Sequence, residues 1–226
     1  MQFPYSFWSK IQLQRDLISY YSFENNAALG SDTLNRHHFD NNGTQVNGKV
    51  NKGNELQSTS ISIVGTTHSN DFNVKPNWTL AFWMKAVDIW EGTTDDIIIT
   101  KGTGLGGWTL DANESTNSLI WRFFDGVGEI SSVTSDQIFT LDTWWFVTMT
   151  HENKTFQITI NANYDTRRFE STISDVTYVD NSSDFIITGP TTTSFIIDEV
   201  SLWHRTLNRT EVEKLYNGGA GITYPF

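Results

Sequence analysis

The chain has 226 residues, a formal net charge of −11 and no cysteine. A chain of this length suits one all-β domain and buries roughly 70% of the surface its unfolded form exposes, so it needs no disulfide or thiolate–zinc staple, and without cysteine it has none. The acidic balance disfavours phosphate backbones and anionic headgroups, and aromatics at 14% with four Pro exclude a disordered chain.

The first ten residues carry Phe3, Tyr5, Phe7 and Trp8. They are too apolar for a solvated tail and read as an arm, residues 1–10, that packs on a partner chain or on the domain itself. The basic-then-apolar order of a secretory signal is not present there. Nothing approaches the roughly 18 apolar residues of a membrane helix, so membrane insertion is not expected.

From residue 11 to 226 the chain reads as one unit of short alternating segments separated by Gly, Asn, Asp, Ser and Thr. Strands are expected at Leu17–Phe23, Ser60–Val64, Thr79–Lys85, Asp96–Lys101, Trp108–Asp111 and Leu119–Phe124. They continue at Glu129–Thr134, Trp144–His151, Thr155–Asn161, Arg168–Ile173, Phe185–Thr188 and Phe195–Trp203. The polar stretch Gly30–Gly53 reads as a loop. In Trp78–Lys85 both alternating faces carry bulk, which predicts a central strand covered on both sides. In Phe195–Trp203, Ile196, Asp198, Val200 and Leu202 share a face, which sets an Asp beside three core residues, costly unless it is paired or metal-bound. One helix is marked near the end. Asn208 and Glu211 form a capping box, Val212, Leu215 and Tyr216 share a face, and Gly218 and Gly219 stop it. Gly102–Gly107 matches a G-x-G-x-x-G string, but a strand follows it rather than a helix, so it reads as a turn.

Three groups of residues carry a resemblance. The ending runs Phe195-Ile-Ile-Asp-Glu-Val-Ser-Leu-Trp-His-Arg-Thr-Leu-Asn-Arg-Thr-Glu-Val-Glu-Lys-Leu-Tyr-Asn-Gly-Gly219. The opening is Leu17-Ile-Ser-Tyr-Tyr-Ser-Phe-Glu-Asn-Asn26. Between them come Val50-Asn-Lys-Gly-Asn-Glu-Leu56, Trp78-Thr-Leu-Ala-Phe-Trp-Met-Lys85 and Trp144-Trp-Phe-Val-Thr-Met-Thr150. In this order the segments resemble a laminin G-like domain of the concanavalin A-like lectin/glucanase superfamily, of the type found in phage virion proteins. The resemblance implies an all-β fold, an antiparallel jelly-roll sandwich with one short C-terminal helix. It speaks less to ligand, because one fold hosts many functions.

The resemblance also implies a structural Ca²⁺, held by Asp32 and Asp198 with a carbonyl oxygen from Asn35. Arg36, His37 and His38 depart from the family's short loop. Trp90, Trp108, Trp121 and Tyr164 lie in or beside polar segments and are candidates for stacking on a sugar ring. A retaining glycosidase would need two carboxylates flanking one bond. The chain has no Glu-x-Asp, and neighbours such as Asp198 and Glu199 would point to opposite faces, so no enzyme is expected. Together these features predict a non-catalytic binding or structural module. The leading reading is a phage virion component, decorating a capsid or tail, in contact with other virion chains or copies of itself and binding host surface glycans. The alternative is a free bacterial carbohydrate-binding or adhesion lectin at the cell surface or outside the cell.

Overall fold

The structure is a computed structural model that describes residues 12–57, 60–63, 70–88, 95–102, 106–135, 140–173, 183–190 and 194–226. The arm residues Phe3, Tyr5, Phe7 and Trp8, and Trp90, lie outside the described residues. Among the described residues the chain forms two antiparallel sheets packed face to face.

The first sheet contains β1 (Leu17–Tyr21), β3 (Thr44–Asn47), β4 (Lys52–Gln57), β6 (Asn77–Ala86), β11 (Trp144–Glu152), β12 (Thr155–Ile160), β13 (Arg168–Thr172) and β15 (Ser194–Trp203). Its order is β13-β12-β11-β6-β15-β4-β3, with β1 also on β15. The second sheet contains β2 (Asp40–Asn41), β5 (Ser60–Ile63), β7 (Asp95–Lys101), β8 (Gly107–Asn113), β9 (Ser118–Phe124), β10 (Glu129–Thr134) and β14 (Phe185–Thr188). Its order is β10-β9-β8-β7-β14-β5-β2. All-β sandwich and short helix α1 (Arg209–Tyr216) agree with the sequence reading. The stretch read as a loop, Gly30–Gly53, instead contributes β2, β3 and the start of β4. Its polar residues gave no apolar alternation because β2 and β3 are edge strands.

Strand β6 is central, as its two-sided bulk predicted. Trp78, Leu80, Phe82 and Met84 enter the core between the sheets, while Ala81 and Trp83 enter a second cluster on the outer face of the first sheet. The main core is a chain of rings. Trp121 touches Trp78, Phe123 and Phe156, and Phe72 stacks on Phe185 at 4.2 Å. Burying rings of this size supplies most of the apolar burial that holds the sheets together.

Strand β15 corrects the alternation argument. Phe195 and Ile197 face the core, and so do Val200 and Leu202. Two residues, Asp198 and Glu199, therefore lie between inward positions. The register against β6 slips between Asp198 and Ser201, and Glu199 adopts φ 53°. This β-bulge turns both carboxylates to the outer face. On its other edge β15 pairs with β4 over Ser194–Ile197 and with β1 over Val200–Trp203. The bulge thus sits at the joint between two strands that share one edge.

The second cluster buries Tyr20, Trp83, Phe146, Trp203, Val212, Leu215 and the terminal Phe226 beneath α1 and the tail. The expected capping box is present: Asn208 Oδ1 accepts from Glu211 N at 3.0 Å, and Glu211 Oε2 accepts from Asn208 N at 3.0 Å. Helix α1 ends one residue earlier than expected, because Asn217 takes the left-handed position at φ 48° ahead of the two glycines. The cover of α1 leaves the outer face of β11, β12 and β13 beside it open.

Candidate functional site

Beside α1, a groove of about 720 Å³ lies over the outer face of β11–β13. Alternation puts Phe156 and Ile158 of β12 into the core and leaves Thr155 and Gln157 on the groove floor. From β13 come Arg168, Glu170 and Thr172, and from β11 Thr150 and Glu152. The wall is the loop after β12, with Tyr164 and Asp165, and the start of α1, with Asn208 and Arg209. The loop is held by its own turn chemistry. Asn161 and Ala162 take positive φ, and Asn163 Oδ1 accepts from Asp165 N and Thr166 N at 3.2 and 3.1 Å.

Both arginines of the groove are paired with carboxylates. Arg168 Nη2 donates to Glu170 Oε2 at 2.6 Å, and Arg209 Nε to Glu213 Oε1 at 2.7 Å. Arg209 also reaches Asp165 at 3.4 Å and lies 5.4 Å from the centre of the Tyr164 ring. Burial, followed by the charge of Glu213, pushes the Tyr164 hydroxyl up to about 12, so it stays a proton donor. The neutral side chains are freer. Gln157 donates to Thr159 Oγ1 at 2.8 Å and keeps its carbonyl oxygen open, while the Thr155, Thr172 and Tyr164 hydroxyls meet no hydrogen-bonding partner among the described residues.

The four proposed stacking residues do not come together. Tyr164 lines the groove, although Arg209 takes one face of its ring. Trp108 and Trp121 are 1% and 0% exposed in the core, so no sugar can reach them. Polar neighbours in sequence had suggested exposure, but these neighbours belong to the outward half of β8 and β9. Trp90 lies outside the described residues.

The donor set at Asp32, Asn35 and Asp198 does not fit a calcium ion. Asp32 Oδ1 accepts from Tyr20 N and Leu34 N, and Oδ2 from Arg36 N and His37 N, all at 3.0 Å. Asp198 Oδ2 accepts from Lys49 N at 2.8 Å and Val50 N at 2.9 Å, and Oδ1 from Glu199 N at 2.8 Å. Asn35 Oδ1 is engaged by the His38 ring at 2.9 Å. Converging N–H dipoles present positive ends where a cation would need oxygen. Among the described residues no three His, Cys, Asp or Glu form a metal-holding group. Each Asp instead stands in for a missing strand partner. Asp32 caps the free edge of β1, and Asp198 closes the turn between β3 and β4. The residues that depart from the family's short loop also anchor it through their side chains: Arg36 Nη1 donates to Leu17 O at 3.1 Å, and His37 Nε2 lies 3.0 Å from Asp71 Oδ2.

Asp198 and Glu199 are 0% and 4% exposed and lie under the tail, away from the groove. The Tyr20 hydroxyl donates to Glu199 Oε2 and accepts from Tyr224 N at 3.0 Å. Burial first, and then the charge of Asp198, pushes Glu199 up to about 9, and burial pushes Asp198 up to about 8 against its three N–H donors. A folded-state value raised this way means that the folded protein holds a proton the unfolded chain has released. Stability is then highest below the ordinary carboxylate range, falls as pH rises, and levels off above about pH 9. With both carboxyls holding a proton the slope is roughly 3 kcal/mol per pH unit up to about pH 8, and half that from there to about pH 9, where Glu199 alone is still protonated. Urea unfolding across this window should show that slope, and Glu199→Gln should roughly halve it, leaving the part owed to Asp198. An unchanged slope in the variant would place the proton elsewhere.

Sequence reading missed Arg205. Its guanidinium binds both Glu211 oxygens at 2.8 Å and donates to the Arg15 and Gln12 carbonyls at 2.9 and 2.6 Å. It ties the start of the domain to α1. The signal was in the x-R-x-L step of the closing motif, where a buried Arg needs a partner such as the capping Glu three positions past Asn208.

The family model described as the concanavalin A-like lectin/glucanases superfamily, Laminin_G_3, matches residues 58–213. The chain belongs to this superfamily. Within it, the chain is 25% identical over 191 residues to Paraclostridial mosquitocidal protein 1 of Paraclostridium bifermentans, covering 76% of this chain and 15% of that protein. The solved binding domain of that protein superposes with TM-score 0.73 at 20% identity, over 92% of this chain and 53% of the other. The botulinum neurotoxin serotype D binding domain gives 0.73 at 16% identity, over 93% and 53%. A serotype D ligand binding domain in complex with N-acetylneuraminic acid gives 0.72 at 15%, over 93% and 52%. This superfamily member therefore spans about half the length of those solved domains, and the likeness to them shows the jelly-roll fold.

Proposed function

We propose that the chain is a non-catalytic recognition module that binds glycans in the groove over β11–β13. The observation that carries this is the groove's lining: a rigid sheet face on which the Thr155, Thr172 and Tyr164 hydroxyls and the Gln157 carbonyl oxygen meet no hydrogen-bonding partner among the described residues. Sugars present rows of hydroxyls that both donate and accept, and Thr, Gln and Tyr side chains answer both roles. A site on strands is held more firmly than one on loops. Similarity to toxin binding domains, one of them solved with N-acetylneuraminic acid, supports a receptor-facing role. Catalysis gains no support from the buried acid pair, which is sealed from any substrate.

The expected virion role draws on Phe3, Tyr5, Phe7 and Trp8, outside the described residues, and none of the relatives named above is a virion protein. The reading carried forward is surface recognition outside the cell or on its surface. A glycan array probed with the wild type and with Gln157→Ala/Thr172→Ala tests it. Binding should fall at least about ten-fold in the variant, a loss of ~1.4 kcal/mol, while the melting temperature holds. Equal binding by both proteins would move the site elsewhere.

A further inference from the structure

We infer that the groove selects neutral glycans and rejects sialylated or sulfated ones, an inference that rests on the groove being the glycan site. An anionic sugar is recognised by a guanidinium or ammonium whose donors are free to form a bidentate pair. Here neither arginine of the groove is free. Arg168 is held by Glu170, and Arg209 is held by Glu213 and Asp165 with Tyr164 beneath it. The carboxylate of Glu152, by contrast, makes no side-chain hydrogen bond or ion pair among the described residues. The open groups of the groove are therefore one anion and several neutral hydroxyl and amide functions. Counting Glu152, Asp165 and Glu170 against Arg168 and Arg209, the lining carries one excess negative charge, inside a chain whose net charge is −11. A sugar carboxylate or sulfate entering here would meet like charge, and would have to displace a paired carboxylate to find a cation. A neutral hexose meets hydroxyls, the Gln157 carbonyl and an acceptor carboxylate, which together match its hydroxyl rows.

The test is an array of neutral glycans printed beside their sialylated and sulfated forms, read at low and high salt, with wild type, Gln157→Ala/Thr172→Ala and Glu170→Gln. The expected result is binding to neutral glycans that is insensitive to salt, with acidic forms at least about ten-fold weaker. Glu170→Gln, which releases Arg168, should narrow or reverse that gap. Tight, salt-sensitive binding of acidic forms that Gln157→Ala/Thr172→Ala abolishes would overturn the neutral preference and leave the groove as the site. Binding of any kind that is indifferent to Gln157→Ala/Thr172→Ala, or no binding at all, would overturn the groove itself and the inference with it. Melting curves on each variant separate lost binding from lost fold, since all three positions lie on the solvent side of the sheet.

Discussion

Asp32→Ala should cost at least about 3 kcal/mol of folding stability, and added Ca²⁺ should not restore it. Four backbone amides converge on this one buried carboxylate. Hydrogen bonds to a charged acceptor contribute roughly 1.5–3 kcal/mol each, and a buried donor left without a partner costs about 1–3. Several of the four donors can turn to water once the loop loosens, so the sum falls well short of four full terms. The loop from Ser31 to Phe39 should loosen first, because the carboxylate is what closes it over β1. Denaturant titration with and without Ca²⁺ or a chelator checks this. A wild-type melting temperature that drops on chelation and recovers with Ca²⁺ would show a cation site that the amide geometry does not provide.

Trp121→Ala should cost about 3–5 kcal/mol, the range for deleting a large ring from a packed core. The indole is fully buried against Trp78, Phe123 and Phe156. Neighbouring rings cannot collapse into the space, because each is itself locked between two sheets. Among the described residues its indole N–H has no hydrogen-bonding partner, so the deletion chiefly removes apolar contact. The consequence for function is direct. Trp121→Ala should lower the melting temperature sharply, yet any protein that remains folded should bind glycans as the wild type does. Loss of binding with unchanged stability would mean that the ring is reached by ligand after all.

How far the sequence could be read depended on what each residue's neighbours hid. Strand β6 was legible because Trp78–Lys85 carries bulk on both faces, and only a central strand covered on both sides accommodates that. Helix α1 was legible from the cap residues Asn208 and Glu211, since the capping box is a local rule that needs no tertiary knowledge. Edge strands β2 and β3 were not legible. They are short and polar: β2 exists only because it pairs with β5 about twenty residues on, and β3 is the outer arm of a hairpin with β4 whose side chains show no apolar alternation. The faces of β15 were misread at Ile196 and Asp198, which were grouped with the core residues Val200 and Leu202: one extra residue in a bulge inverts the alternation between the two halves of the strand, and no rule of alternation announces a bulge. Of the candidate site, only Tyr164 was found. Gln157, Thr155 and Thr172 look like ordinary outward strand residues. They become a site because α1 and the loop at Tyr164 wall them in, and that enclosure is a property of the folded chain. The acidic residues were visible, but their pairing was not: Arg168 with Glu170 is a same-face pair two residues apart, whereas Arg209 with Asp165 joins segments 44 apart in sequence.

Glycan binding on the outer face of β11–β13 should be visible residue by residue in solution. Amide chemical-shift mapping of the isotope-labelled protein, titrated with a neutral oligosaccharide taken from the array, tests it most directly. The shifts should cluster at Thr155, Gln157, Tyr164 and Thr172 and spread no further than the start of α1. Shifts centred on the second sheet or on the tail around Tyr224, with the groove silent, would contradict it.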